Sequence, residues 1–341
     1  MIRRKRKKIN FLRVFEALFI IFLCICIYLA KPMQTSKVVY LPNGSTSKII
    51  SYLSLRNFDI SKFDIIFLKF FGMPQSGWID VQYEKTSKFD FLYQITNAKA
   101  AMTDITLIPG ETSEYFLLQT SKQLGLNYDI LVRELKLLSP IPEGFLVPDT
   151  YKIPIGIEEK HLIFYLVNTS KAKHEEMSKK IFGVWDEKQW YKYLKVASIV
   201  QKEAASEDEM PLVASVIYNR LKKGYRLQMD GTLNYGLYSH DKITRERIDS
   251  DKTSYNTYKR YGLPEFAVCN VSFAAIKAAI FPKKSDYLYF VRNKDTGKHA
   301  FTSTLIDHNK EIKKSNQAQN KATKSNKSTQ KNTQKKSTPK K

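Results

Sequence analysis

Cysteine is scarce in this chain of 341 residues, which contains Cys24, Cys26 and Cys269. The first two lie inside an apolar run and the third stands alone. The chain therefore offers neither a disulfide framework nor the paired cysteines of a zinc site. Its five histidines are scattered and form no HExxH motif. We expect no metal and no cofactor.

The net positive charge is small in the middle of the chain and concentrated at its two ends. The net charge is +23, residues 3–8 are all Arg or Lys, and residues 310–341 hold eleven Lys against one Glu. A nucleic-acid-binding domain concentrates basic residues on its folded surface instead. This distribution argues against nucleic acid as a partner.

Apolar residues are almost absent from residues 313–341, which consist mainly of Lys, Ser, Thr, Asn and Gln. A segment of this composition cannot bury a core, so we predict that it is a disordered tail. Two roles stay open at this stage. The tail either makes weak electrostatic contacts with an anionic polymer or lipid, or it only keeps the protein soluble.

One long hydrophobic run, residues 11–31, approaches the roughly 20 residues that cross a bilayer. The basic segment 1–10 precedes it and predicts a cytoplasmic N-terminus with an external remainder. A cleaved signal peptide is the alternative, because the uncharged part of the run is short. Tyr28-Leu29-Ala30 is a poor cleavage site. We therefore expect a retained single-pass anchor in the inner (cytoplasmic) membrane.

Residues 37–155 contain two similar strand–turn–helix patterns. In the first, a strand is predicted at 38–42, then an Asn-Gly turn and a helix that ends near residue 55; a further strand is predicted at 78–83. The second pattern has a strand at 105–110 and a helix that ends near residue 124. We interpret them as a possible two-copy module. Such small modules bind a ligand or pack more often than they carry chemistry.

One carboxylate, that of Glu203, has an unusual setting. The segment ASIVQKE at 197–203 is predicted to be helical, with Val196, Ile199 and Val200 on the same face as Glu203. Burial raises the pKa of a carboxyl group, as a general acid near neutral pH requires. The alternative is a glutamate at the helix edge whose carboxylate reaches water, which is its usual position.

Polar clusters follow Glu203 in turn-rich segments. They are NR at 219–220, RLQMDGT at 226–232, NYG at 234–236, SYNTY at 254–258 and GLP at 262–264. Such side chains hydrogen-bond sugar hydroxyls and N-acetyl groups, and aromatic faces stack on pyranose rings. Each cluster alone also fits an ordinary turn or cap.

Together these segments resemble the endolytic murein transglycosylases, the MltG or YceG-like family, over residues 38–312. The resemblance is carried by EGFLVPDTY at 143–151, ASIVQKE at 197–203, VASVIYNRL at 213–221, RLQMD at 226–230, YNTY at 255–258 with GLP at 262–264, and DYLYFV at 286–291. Three places depart from the family pattern. Gln201 stands where Glu is common, EFAV at 265–268 replaces a Pro and a Gly-Pro-Ile, and Val271 replaces a Pro.

The resemblance implies an α+β protein that cleaves peptidoglycan. It implies a membrane anchor, a LysM-like strand–helix region at 37–155 and a mixed α/β catalytic domain at 156–312. The expected reaction cuts MurNAc-β-1,4-GlcNAc bonds without water, leaving 1,6-anhydroMurNAc ends, and terminates nascent strands near peptidoglycan synthases. The resemblance places the catalytic acid on Glu203. It suggests that the substrate groove is lined by Asn219, Gln228, Asp230, Tyr255 and Asn256.

A lytic transglycosylase needs one carboxylate, whereas most glycosidases need two. Glu203 would protonate the glycosidic oxygen and then accept the proton of the MurNAc 6-hydroxyl, which attacks C1 within the same molecule. Two alternatives stay open. One is a hydrolytic muramidase with Asp230 as the second carboxylate, although Asp230 also fits a turn residue before Gly231. The other is a non-catalytic peptidoglycan-binding protein.

Overall fold

The computed structural model describes residues 11–97, 99–294 and 296–316. The predicted basic segment 1–10 and the tail from residue 317 onward lie outside these residues. Residues 305–316 are helical, so this helix runs past residue 313, where the predicted disordered tail begins. The expected α+β class is confirmed.

The described residues form helices and short paired strands. The helices are α1 (Phe11–Leu29), α2 (Thr46–Leu55), α3 (Asp64–Phe71), α4 (Lys88–Asn97), α5 (Ser113–Leu124), α6 (Tyr128–Leu138), α7 (Glu159–Phe182), α8 (Glu187–Glu203), α9 (Met210–Lys222), α10 (Arg245–Ser250), α11 (Phe273–Ile280) and α12 (residues 305–316). The strands are β1 (Pro32–Gln34), β2 (Val38–Leu41), β3 (Gly77–Asp80), β4 (Lys85–Ser87), β5 (Met102–Leu107), β6 (Asp149–Pro154), β7 (Tyr289–Arg292) and β8 (His299–Thr302). The sheets within the described ranges are the pairs β1–β4, β2–β3, β5–β6 and β7–β8.

The chain divides into two compact units. The first comprises residues 1–104 and 152–157, and the second comprises residues 105–151 and 158–341. Residues 105–151, which we predicted to be part of the LysM-like region, are therefore grouped with the second unit. The LysM-like character of residues 37–155 and the catalytic domain at 156–312 stay predictions.

The first unit contains the first predicted strand–turn–helix pattern, and the structure confirms it. β2 pairs antiparallel with β3, and Ser45 caps α2 by accepting a hydrogen bond from the backbone N–H of Lys48. The core beneath the pair consists of apolar side chains of β2, α2, β3 and α4. α1 is long and apolar enough to cross a membrane, as anchors and signal sequences both are.

The second unit is built around α8, α9 and α11. The predicted apolar stripe of α8, Val196, Ile199 and Val200, is buried against α9 and α11. Residues three and four apart lie on one helix face, so the stripe holds the last turn of α8 inside the unit. Glu203 ends this helix. The fold therefore brings the carboxylate to the edge of a packed core.

The motif DYLYFV at 286–291 overlaps β7, which starts at Tyr289 and forms a hairpin with β8. Its side chains are half-buried rather than enclosed. One face of the hairpin contacts the core through Phe290 and Phe301. Tyr289 and Phe290 also reach the cleft in front of Glu203.

Candidate active site

Glu203 opens into a cleft of about 360 Å³ in the second unit. The cleft is lined by Glu203, Arg220, Leu227, Gln228, Met229, Asp230, Tyr258, Tyr289, Phe290, Leu305 and His308. Its lining contains both polar and apolar side chains, which suits a ligand with hydroxyl groups on a carbon ring. Gln228 and Asp230, two of the five predicted groove residues, lie here with Glu203.

The carboxylate of Glu203 is held by the backbone N–H of Gly231, which donates to Oε1 at 2.8 Å. Burial at the end of α8 raises the pKa of Glu203 to about 7, and the nearby charge of Asp230 raises it further. The Gly231 N–H and the positive charge of Arg220 act in the opposite direction. A raised pKa agrees with the sequence-based expectation for this helix end.

Gly231 is required by the closeness of two chain segments. A Cβ at this position would lie 2.6 Å from the Cβ of Lys202 and 2.9 Å from Oε1 of Glu203. The surrounding turn is fixed by Thr257, whose Oγ1 accepts from the backbone N–H of Met229 at 3.0 Å. The donor to Glu203 is therefore pre-positioned by neighbouring hydrogen bonds.

Asp230 and Tyr258 form a hydrogen-bonded pair in the cleft. The hydroxyl of Tyr258 donates to Oδ1 of Asp230 at 2.7 Å. Burial, followed by the negative charge of Asp230, raises the pKa of Tyr258, which keeps the hydroxyl protonated as a donor. Gln228 has a left-handed backbone with φ of 49°. This conformation is uncommon for a residue other than glycine and is found at functional sites.

Arg220 joins the two walls of the cleft. Its Nε donates to the carbonyl of Leu288 and its Nη1 to the carbonyl of Leu227, both at 2.6 Å. Its guanidinium also lies over the ring of Tyr289, 5.1 Å from the centroid. Burial lowers the pKa of Arg220, but an arginine remains charged in proteins. Its charge therefore favours the ionised form of Glu203.

The remaining predicted groove residues lie elsewhere. The amide of Asn219 donates to the carbonyls of Ser285 and Tyr287, both at 2.9 Å. The buried amide of Asn256 donates to the carbonyls of Ile248 and Asp251. Among the described residues, Asn219, Tyr255 and Asn256 are not part of the lining of the Glu203 cleft. Their role in substrate binding stays a prediction.

Tyr255 lines a second cavity, of about 440 Å³, whose wall also includes Glu143. The ring of Tyr255 stacks on that of Tyr235 with centroids 4.3 Å apart. Burial raises the pKa of Glu143 to about 7 despite hydrogen bonds from Ser113 and Gly144. Glu143 thus braces the start of α5 and lies outside the lining of the Glu203 cleft.

Eight residues in the lining were not predicted as site residues from sequence, and four of them have side chains that can hydrogen-bond: Arg220, Tyr258, Tyr289 and His308. Arg220 and Tyr258 belong to the polar clusters noted above, so part of the signal was present. His308 on α12 had no such signal. Within the described ranges, no group of three or more His, Cys, Asp or Glu side chains could hold a metal ion.

The YceG-like family model matches residues 39–314. The chain is 33% identical over 231 residues to the endolytic murein transglycosylase of Bacillus subtilis, which covers 64% of this chain and 61% of that protein. It is 31% identical over 180 residues to the endolytic murein transglycosylase of Streptococcus pneumoniae, covering 50% and 31% of the two chains. The chain thus spans less than two thirds of the length of these curated relatives.

A crystal structure of a YceG-like protein from Listeria monocytogenes is also similar. It is 26% identical in sequence and superposes with a TM-score of 0.51. The similarity covers 81% of this chain and 99% of that one.

Proposed function

The chain belongs to the YceG-like family, and from this membership and the cleft around Glu203 we propose that it is a peptidoglycan lytic transglycosylase. The observation that carries the proposal is a carboxyl group that is held by a fixed N–H donor in a polar cleft, where burial raises its pKa to about 7. A group with this pKa is populated in both its acid and base forms near neutral pH. Two curated relatives bear the name endolytic murein transglycosylase.

In the proposed reaction, protonated Glu203 donates its proton to the glycosidic oxygen between MurNAc and GlcNAc. The C1–O4 bond breaks, and the proton leaves with the 4-hydroxyl of GlcNAc. The carboxylate then accepts the proton of the MurNAc 6-hydroxyl as O6 bonds to C1. The product is a 1,6-anhydroMurNAc end, no water is consumed, and Glu203 regains its proton.

The neighbours of Glu203 support both halves of this cycle. Burial favours the acid that starts the reaction, whereas the Gly231 N–H and Arg220 stabilise the carboxylate that follows. Asp230, fixed by Tyr258, provides a negative charge beside the cleft that suits an oxocarbenium-like transition state. Gln228, which lines the same cleft, would hydrogen-bond the saccharide.

The hydrolytic alternative rests on Asp230, a carboxylate that lines the same cleft as Glu203. A muramidase would use it as a base or nucleophile. A non-catalytic peptidoglycan-binding protein would leave both carboxylates without a chemical role. Product analysis separates the three functions.

We further propose that α1 anchors the protein in the cytoplasmic membrane with residues 1–10 inside the cell. The enzyme would then cut nascent glycan strands near the membrane, beside peptidoglycan synthases. N-terminal sequencing of the membrane-bound protein tests the anchor. Retention of residue 1 or 2 is expected, and a mature N-terminus beyond α1 would instead indicate a cleaved signal peptide.

The test of activity uses the full chain in detergent with purified peptidoglycan and mass spectrometry of the released fragments. Anhydro ends that depend on Glu203 are expected. Reducing MurNAc ends without anhydro ends would favour the muramidase. Glycan that is bound but not cut would favour the binding protein.

A further inference from the structure

The first unit exposes large apolar side chains beside the end of α1. Just before and on α3, Phe63, Ile66 and Phe70 are 59%, 59% and 91% exposed. Residues at this spacing lie along one helix face. On α4, Phe89 and Tyr93 are 42% and 50% exposed. We call these five side chains the α3–α4 apolar surface.

α3 carries apolar side chains on both its buried face and its exposed face. Its sequence, DIIFLKFF, turns Asp64 and Leu68 inward, where they are fully buried, and turns Ile66 and Phe70 outward. A surface helix of a globular protein carries mainly polar residues on its outward face, whereas the outward face of α3 carries Ile66 and Phe70. Grouped exposed apolar side chains mark an interaction surface. The outer face of α3 therefore requires a partner.

The start of α3 is attached to the last turn of α1. The hydroxyl of Tyr28 donates to Oδ1 of Asp64 at 3.0 Å and accepts from Nζ of Lys88 at 3.1 Å. The ring of Tyr28 also contacts those of Phe63 and Phe67, with centroids 6.1 and 6.2 Å apart. These contacts fix Tyr28 against α3 rather than leaving α1 on a loose linker.

The other end of α3 is also held close to the end of α1. The ring of Phe71 contacts that of Phe89, with centroids 5.2 Å apart. Phe89 is next to Lys88, whose backbone N–H donates to the carbonyl of Lys31 at 3.0 Å. Since Lys31 follows α1 by two residues, these contacts connect the C-terminal end of α3 to the residues just after α1.

The length of α1 places this region at the edge of the bilayer. A helix of 19 residues is about 28 Å long at 1.5 Å per residue. The hydrocarbon core of a bilayer is about 30 Å thick. α1 must therefore use its whole length to span, and Tyr28 lies at the interface. This step rests on the proposed membrane anchor.

We propose that the α3–α4 apolar surface inserts into the outer boundary of the cytoplasmic membrane and seats the first unit on the lipid. Phe63, Ile66 and Phe70 contact the acyl chains, and the rings of Phe89 and Tyr93 lie at headgroup level, where aromatic side chains are favoured. The exposed Lys62, which precedes α3, and the exposed Lys69, within α3, complement anionic headgroups.

The test uses nitroxide labels on the full chain in vesicles of phosphatidylethanolamine and phosphatidylglycerol. Cys269 is fully buried and burial raises its pKa to about 12, so it does not react. In a background with Cys24→Ser and Cys26→Ser, one label is introduced through Phe70→Cys. A matched control uses Met102→Cys, an exposed apolar position on β5. A third protein retains Cys24, with Cys26→Ser, so that its label reports on α1.

Spin relaxation measures how often each label collides with oxygen, which concentrates in lipid, and with a water-soluble nickel chelate.

The labels at position 70 and on Cys24 are expected to collide more often with oxygen than with the nickel chelate. The label at position 102 is expected to collide more often with the nickel chelate. A label at position 70 in water, with Cys24 in lipid, would overturn the inference and leave the anchor intact. A label on Cys24 in water would reject the anchor and the inference with it. Shielding of position 70 from both reagents would indicate a protein partner, such as a second copy, and would also reject lipid contact. Oxygen-rich collisions at both 70 and 102 would indicate non-specific adsorption and overturn it.

Discussion

The backbone N–H of Gly231 donates to Oε1 of Glu203 at 2.8 Å, and a Cβ on Gly231 would lie 2.9 Å from the same oxygen. The catalytic acid that we propose is therefore fixed by a contact that only glycine permits. The contact stabilises the carboxylate, whereas the burial of Glu203 favours the acid. The balance between the two leaves the pKa near 7.

Glu203→Gln is expected to abolish formation of anhydro ends, because the amide can neither donate nor accept the proton. A general acid–base residue contributes roughly 10²- to 10⁴-fold to a rate. Mass spectrometry of released muropeptides measures the loss. Glu207→Gln, an exposed position just beyond the end of α8, is the control and should remain active. Full turnover by Glu203→Gln would reject the assignment of the acid.

Gly231→Ala is expected to lower turnover by at least about tenfold. Its Cβ displaces the turn from Lys202 and Glu203, and the loss of one well-placed donor to a charged group corresponds to about 1.5–3 kcal/mol. Turnover and the thermal unfolding midpoint are measured together. An inactive variant with a nearly unchanged midpoint supports a local effect. Unaltered turnover would contradict the importance of this contact.

Asp230→Asn separates transglycosylation from hydrolysis. The negative charge of Asp230 raises the pKa of Glu203, so its removal lowers that pKa. Because the reaction begins with protonated Glu203, wild-type activity should fall as the pH rises through about 7, and the Asp230→Asn variant should lose activity at a lower pH. The measurement is the pH–rate profile. Complete inactivity at every pH, with intact folding, would favour the two-carboxylate muramidase.

The stability of Glu203→Gln relative to wild type should depend on pH. Folding raises the pKa of Glu203 from 4.5 to about 7. The stabilising contribution of the protonated carboxyl is therefore present below about pH 4.5 and lost as the pH rises through 7. Over that range the variant should gain up to about 3 kcal/mol relative to wild type. Urea unfolding of both proteins in the same detergent measures the difference. Glu143, whose pKa is also raised, is present in both proteins. Its contribution to the free energy of unfolding therefore cancels when the two proteins are compared. A difference independent of pH would contradict the raised pKa.

Much of the local structure could be predicted from the chain. The apolar spacing of Val196, Ile199 and Val200 predicted the buried stripe of α8, and the helix does end at Glu203. The first strand–turn–helix pattern matches β2 and α2. These features depend on side-chain periodicity and on caps within one or two turns.

The composition of the cleft required the tertiary structure. Gln228 and Asp230 reach Glu203 because Gly231 lets their segment approach the end of α8. Asn219 and Asn256, equally polar in sequence, are instead occupied by backbone carbonyls. Nothing in the sequence around an asparagine distinguishes an amide that faces a ligand from one that braces a loop.

Sequence periodicity and motif content were sufficient to identify the helix that carries Glu203, the apolar α1 and the family, because these depend on residues close together in the chain. The partners of Glu203 were not accessible in the same way. Arg220 on α9, Tyr289 on β7 and His308 on α12 line its cleft, although they are 17, 86 and 105 positions away in the chain. Only the packing of α8, α9, α12 and the β7–β8 hairpin brings them together, and that packing sets the burial and the nearby charges on which the pKa of Glu203 depends.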